Sequence, residues 1–201
     1  LAGVATIVQM VFLARIVHLG VIEHAPASVL APYFLGLVLA ACQVVPAPEV
    51  GTAYLVRHAE KVTGDAAMNL EDPRDPPLTS DGEARAEALS ERLGDAGITG
   101  IWSTDTKRTR DTAQPLADRL GLDVQIYDAS DLPAFAARLK TDPTAIVLVV
   151  GHSNTTPQLA EALGAEPGAP IVEKSEYDRL YVIDLATGLG EIERFGAPSE
   201  P

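Results

Sequence analysis

Residues 145–154 read Ala-Ile-Val-Leu-Val-Val-Gly-His-Ser-Asn. Six apolar residues run here without a polar interruption, and four of them are β-branched. A strand with one wet face would alternate. An unbroken run predicts a strand buried on both faces, as in a parallel sheet covered by helices. Residues 52–58, Thr-Ala-Tyr-Leu-Val-Arg-His, repeat the grammar: a short apolar strand delivers a histidine at its carboxyl end.

Outward from these two strands, helix and strand patterns alternate. Thr79–Leu93 reads as a helix, with an apolar stripe at Ala84, Ala88, Leu89 and Leu93 and a Ser80/Glu83 capping box. Gly100–Ser103 is a strand, Lys107–Leu120 a helix kinked at Pro115, Val124–Tyr127 a strand, and Leu132–Leu139 and Thr156–Leu163 short helices. Leu180–Leu185 and Gly190–Phe195 form a closing hairpin around Ala186-Thr187-Gly188. This order predicts an α/β fold, a three-layer α/β/α sandwich on a mostly parallel sheet. Such sheets bind ligands at the carboxyl ends of their strands.

The 201 residues carry 28 Asp+Glu against 15 Lys+Arg, a net charge of −13. That balance excludes a nucleic-acid binder, which needs a basic face, and requires any phosphate site to be locally basic. The one cysteine, Cys42, rules out an intramolecular disulfide and a cysteine-rich zinc site. Residues 1–48 stand apart: Arg15 and Glu23 are their only charged side chains, and two apolar runs flank Glu23-His24-Ala25-Pro26. The second run ends Leu39-Ala40-Ala41-Cys42, which resembles a bacterial lipobox with Cys42 as the lipidated residue. A membrane-spanning helix with an incidental cysteine is the alternative. Arg15 precedes that run, so the positive-inside bias places the globular domain outside the cytoplasm, membrane-anchored, on the periplasmic side in a bacterium. The boundaries read as an apolar leader over 1–42, a linker over 43–51, a globular domain over 52–196 and a tail over 197–201.

At the strand ends, Arg57-His58-Ala59-Glu60-Lys61 comes after the first strand and Gly151-His152-Ser153-Asn154 after the strongest one. If the strands are neighbours, the two imidazoles share one crevice. Lys107, Arg108 and Arg110 open a helix, where the dipole already presents its positive end, so an anion there would balance them. Two histidines and two arginines at one sheet edge suit phosphoryl transfer without a metal: one His attacks phosphorus, and the other with the arginines stabilises charge on the oxygens. Taken singly, a strand-end His is more often a polar cap, a basic helix start a solvated face, and Gly-His-Ser a plain turn. Their joint placement is what those readings explain poorly.

These residues resemble the histidine phosphatase superfamily, which includes the cofactor-dependent phosphoglycerate mutases. Leu55-Val56-Arg57-His58-Ala59-Glu60 is similar to its signature, Leu78-Thr79-Ser80-Asp81-Gly82 to its helix start, Ser103–Ala113 to its second arginine segment and Val150–Thr155 to its second histidine segment. The resemblance extends from about residue 52 to 185. It implies His58 as the nucleophile, Arg57 and Arg108 as phosphoryl ligands, His152 as a donor to the phosphoryl oxygens, and no cofactor or metal. Water then attacks the phosphohistidine with inversion at phosphorus. Gly64 stands where many members have Asn, and the mutase branch's acid-bearing insert is missing. Asp128, directly after the third strand, is the first choice of leaving-group acid, ahead of Asp131 and Glu60; an equal alternative makes it a loop cap. Ser153 stands where the acid phosphatase and phytase branch has Asp, which speaks against a phytase-like enzyme.

The reading is thus a phosphomonoester hydrolase, a monomer acting on a small phosphorylated substrate. Its alternatives are a protein-phosphohistidine phosphatase and a non-catalytic phosphate sensor. Trp102 is expected in the core and Tyr177 at a structural turn or the pocket mouth. Pro73, Pro76 and Pro77 predict a rigid loop over the site, whose four acids disfavour highly anionic substrates.

Overall fold

The computed structural model describes residues 51–199, with Val17, Pro26 and Val29 as isolated positions before them. The leader readings, Cys42 included, lie outside the described residues. The chain divides into two units, 1–48 and 49–201. Among the described residues no helix is long and apolar enough to cross a membrane.

Within the second unit the described residues form, in order, β1 (Thr52–Arg57), α1 (Gly64–Met68), α2 (Ser80–Leu93), β2 (Gly100–Ser103), α3 (Lys107–Leu120), β3 (Val124–Ile126), α4 (Leu132–Leu139), β4 (Ile146–Gly151), α5 (Thr155–Leu163), β5 (Arg179–Asp184) and β6 (Gly190–Arg194). The strands build one six-stranded sheet in the order β3-β2-β4-β1-β5-β6. The first four of that order are mutually parallel, β5 runs antiparallel to β1, and β6 antiparallel to β5. The expected mixed α/β architecture is therefore present. The short helix α1 lies beyond the reach of the sequence pattern, because Gly-Asp-Ala-Ala-Met carries no apolar period; none of its residues is buried.

The unbroken apolar strands serve two cores. Ala53 and Leu55 of β1 and Val147 and Val149 of β4 pack with Phe135 of α4 and Leu159 and Leu163 of α5. Their alternates Val56, Leu148 and Val150 pack with Leu89 and Leu93 of α2 and Leu116 of α3. Successive side chains of a strand point to opposite faces, so helices on both faces leave no polar position in the middle of β1 or β4. Trp102 belongs to the first core, with the Arg138 guanidinium 4.4 Å from its ring centre.

The helix ends fall close to expectation, with one shift. Thr79, not Ser80, caps α2: its hydroxyl accepts from Gly82 N at 3.1 Å, and Ser80 is already helical. Gly82 is required by packing, since a Cβ there would lie 2.2 Å from Glu60 O. That close approach seats the first turn of α2 against the loop after β1. Helix α3 continues through Pro115 to a left-handed Gly121 cap. Residues 197–199, set apart by the sequence as tail, are tied down: Ser199 Oγ accepts from Tyr177 N (2.8 Å) and Asp178 N (3.1 Å).

Candidate active site

Register builds the site. Arg57 of β1 pairs with Gly151 of β4, and His58 N donates to Gly151 O at 2.9 Å. The next residue of each strand, His58 and His152, therefore stand side by side, with ring centroids 5.5 Å apart and planes at 69°. The sheet edge brings together the two histidines named from the sequence.

His58 is held on every side. Its Nδ1 lies 2.7 Å from Ala59 O. A carbonyl only accepts, so Nδ1 carries the proton and Nε2 keeps its lone pair. Ala59 N donates to Thr112 Oγ1 at 3.0 Å. Glu60, two residues on, is gripped by Arg85, whose Nε and Nη2 reach the carboxylate at 2.7–2.9 Å. Arg85 also donates to Phe195 O and Ala197 O, anchoring the loop to the C-terminal segment. His58 is 3% exposed. Burial, assisted by the charges of Arg57, Arg108 and His152, pushes its pKa down to about 3, so the ring is neutral near pH 7.

His152 is held differently. Its Nε2 is 3.0 Å from Thr104 Oγ1. The hydroxyls of Thr104 and Thr106 both reach Thr109 Oγ1, at 3.0 and 2.8 Å, and Thr109 Oγ1 donates to main-chain carbonyls at 2.9 Å. Each hydroxyl has one proton. With Thr109 donating to a carbonyl, Thr104 donates to Thr109 and accepts from His152 Nε2–H. The Nδ1 edge then carries the lone pair of the neutral ring. Burial first, then Arg108 and Lys61, lowers the His152 pKa to about 4.

The arginines are placed as expected but bonded otherwise. Arg57 spends its fork on the protein: Nη1 donates to Glu176 O (2.9 Å) and Val172 O (3.4 Å), and Nη2 to Glu173 O (2.6 Å). Its guanidinium lies over the Tyr177 ring, 4.1 Å from the ring centre, which puts Tyr177 in the wall of the site. Arg108 is held by Asp75 of the proline loop at 3.3 Å, and the same carboxylate accepts Lys107 N. In both arginines the buried Nε–H has no hydrogen-bond partner among the described residues. Buried N–H donors normally find one, and an oxyanion would supply the acceptor that each lacks.

The carboxylates divide sharply. Asp128 lines a cavity of about 560 Å³ together with His152 and Thr104. It is exposed, and hydrogen bonds from the Ser130 hydroxyl and from Ser130 N, the latter 2.8 Å from Oδ1, hold its pKa below the usual carboxylate range. Asp131 caps α4 by accepting Ala134 N, and Glu60 is committed to Arg85. Lys61 and Glu173, which act electrostatically on His152, are site residues that sequence reasoning misses. Lys61 has a signal, lying in the strand-end run after β1; Glu173 and Asp75 come from distant loops that no local pattern ties to this edge. Among the described residues no three His, Cys, Asp or Glu side chains cluster as metal ligands would.

Residues 53–130 match the model of the histidine phosphatase superfamily, branch 1. Over those residues the chain is similar to the histidine phosphatase superfamily. It is 41% identical over 71 residues to a Serratia proteamaculans protein named "Probable phosphoglycerate mutase GpmB", covering 35% of this chain and 33% of that one. The chain thus spans about a third of the length of the curated relatives it matches. Among solved structures, a protein of Agrobacterium tumefaciens described as the putative phosphohistidine phosphatase SixA aligns with a TM-score of 0.55 and 24% identity, over 74% of this chain and 99% of that one. A mycobacterial glucosyl-3-phosphoglycerate phosphatase aligns with a TM-score of 0.53 and 16% identity, over 74% and 99%. A tungstate complex of the protein histidine phosphatase SixA aligns at 0.54 and 18%, over 73% and 97%. These likenesses establish the fold.

Proposed function

We propose that the protein is a histidine phosphatase that hydrolyses phosphomonoesters through a phosphohistidine on His58, without a metal. The observation that carries the reading is the His58 Nδ1–H to Ala59 O hydrogen bond, which keeps the Nε2 lone pair free on a neutral ring. Nε2 attacks phosphorus as the bond to the leaving oxygen breaks, and that oxygen takes the electron pair and a proton. Water then attacks the phosphohistidine, the N–P bond returns its pair to Nε2, and inorganic phosphate leaves with inversion at that step. The Nε–H groups of Arg57 and Arg108 hold the equatorial oxygens. His152, neutral before binding, gains a proton beside the phosphoryl dianion and donates to it through Nδ1.

The leaving group takes its proton from a weak source. Asp128 is the first-choice acid from the sequence, and its ionised, exposed carboxylate supplies little at neutral pH. The site therefore suits leaving groups that need little protonation: aryl oxides, or the imidazole of a protein phosphohistidine. The latter is the second reading, favoured by the same observation.

The test is turnover of 4-nitrophenyl phosphate by the full chain in detergent, with chelator, beside His58→Ala. Metal-independent turnover lost in the variant is expected. Tight phosphate binding without turnover would leave a sensor domain. We also propose that residues 1–42 tether the domain, as a monomer, outside the cytoplasm through a lipid on Cys42. Labelled fatty acid incorporated by the wild type and lost in Cys42→Ala checks this.

A further inference from the structure

Helix α3 carries two buried threonines three residues apart, Thr109 and Thr112. Residues so spaced share one face of a helix. Threonine is a weaker helix former than alanine, and at both positions the hydroxyl makes bonds that a methyl could not. Thr109 anchors Thr104, which holds His152. Thr112 serves the other histidine.

The Thr112 hydroxyl has two partners. Its Oγ1 donates to Arg108 O at 2.7 Å and accepts from Ala59 N at 3.0 Å. A carbonyl only accepts and an amide N–H only donates, so the single hydroxyl proton goes to Arg108 and a lone pair takes Ala59. Neither bond can reverse. The same Ala59, itself fully buried, presents its carbonyl to His58 Nδ1 at 2.7 Å. It is thus fixed at its nitrogen by α3, and through its oxygen it fixes the tautomer of the ring before it.

The other ties of this loop lead elsewhere. His58 N is held by Gly151 of β4, Glu60 O accepts Thr79 N, and the Glu60 carboxylate goes to Arg85 of α2. Among the described residues, the bond from Ala59 to Thr112 is the one hydrogen bond between residues 58–61 and α3. Arg108 stands in the first turn of α3, one turn before Thr112. The hydroxyl therefore sets the loop of the nucleophile against the helix that carries the guanidinium. Resting on the hydrolase reading, we propose that Thr112 is a positioning residue, whose hydroxyl registers the His58 ring against Arg108 so that the Nε2 lone pair faces a phosphoryl group held by that arginine.

The test is Thr112→Val, which keeps the shape and removes the hydroxyl, beside Thr112→Ser and Thr112→Ala, in the full chain in detergent. With 4-nitrophenyl phosphate, kcat of the Val variant is expected to fall roughly ten- to hundredfold. KM should change little, because Asp75 still holds Arg108. The Ser variant keeps the wild-type kcat, and the Ala variant loses it. Nitrogen NMR of the His58 ring, assigned against His58→Ala, should place the proton on Nδ1 in the wild type and the Ser variant, and partly on Nε2 in the Val variant. Lost packing alone would not move it. A folded Val variant with wild-type kcat, an unmoved tautomer, or Ser and Ala variants of equal kcat overturns the positioning role. Failure of both the Val and the Ala variant to fold overturns it too, since the bond is then structural. A wild type without turnover whose tautomer still shifts in the Val variant overturns the hydrolase reading and leaves the registration of the ring standing.

Discussion

The loop after β1 and the loop after β4 each end a parallel strand in a histidine, yet they are built on different principles. The first is locked by partners that cannot reverse: a carbonyl on His58 Nδ1, a buried guanidinium on Glu60, a strand carbonyl on His58 N. The second is held through Nε2, by a hydroxyl chain that runs from His152 through Thr104 to Thr109 and ends on main-chain carbonyls. A ring whose Nδ1 proton is tied to a carbonyl suits a group that must always present its Nε2 lone pair. A ring tied through Nε2 suits a group whose Nδ1 must gain a proton when an anion arrives and lose it afterwards.

Four outcomes sharpen or break this contrast. His58→Ala, the largest, is expected to reduce turnover by at least about three orders of magnitude, since no covalent intermediate forms. His152→Gln retains a donor but not a titrating one, and steady-state kinetics should show kcat lower by roughly two to three orders. If the two losses were equal and His152 carried the phosphate, the contrast would be reversed. Arg85→Met removes the lock on the first loop and leaves Glu60 without its partner. Denaturant unfolding should show a loss of about 2–4 kcal/mol, less than for a fully buried pair because Glu60 is 23% exposed. The double variant Arg85→Met/Glu60→Leu should recover part of it.

The smallest effect is the most specific. Thr104→Val should lower kcat about tenfold and move the pH profile, and Thr104→Ser should restore both. A Val variant with an unmoved profile would reduce Thr104 to packing.

The two rings also make stability depend on pH. Both are neutral when folded, with pKa values lowered to about 3 and about 4, whereas the unfolded chain protonates them near 6.5. Between these limits the unfolded state binds more protons, so stability is greatest above about pH 6.5 and falls as pH drops toward 3. Saturating phosphate should flatten that fall, because the bound anion favours protonated His152.

Much of this is legible in the sequence, for physical reasons. Strands buried on both faces cannot hide a polar residue, so β1 and β4 announce themselves, and a parallel pair in register puts their next residues together. The stripe of α2 is only half legible: Leu89 and Leu93 are buried as expected, but Ala84 is exposed and Ala88 half-buried, while Arg85 and Ala86 are buried instead. The hidden part depends on the chain folding back. Nothing local shows that Arg57 turns its fork to the carbonyls of residues 172–176, that Asp75 crosses from the proline loop to Arg108, or that Ser199 clasps Tyr177 and Asp178. Thr104 is hidden differently: it comes after a strand like the histidines, but a threonine in a row of threonines carries no signal until His152 stands beside it.

The measurement closest to the central claim is rapid acid-free quenching of the full chain with phosphate-labelled substrate, then mapping of the protein-bound label. An alkali-stable, acid-labile phosphate on His58 Nε2, formed and discharged as fast as turnover, is the predicted result. Turnover with no label on the protein, or with label on His152, would contradict it.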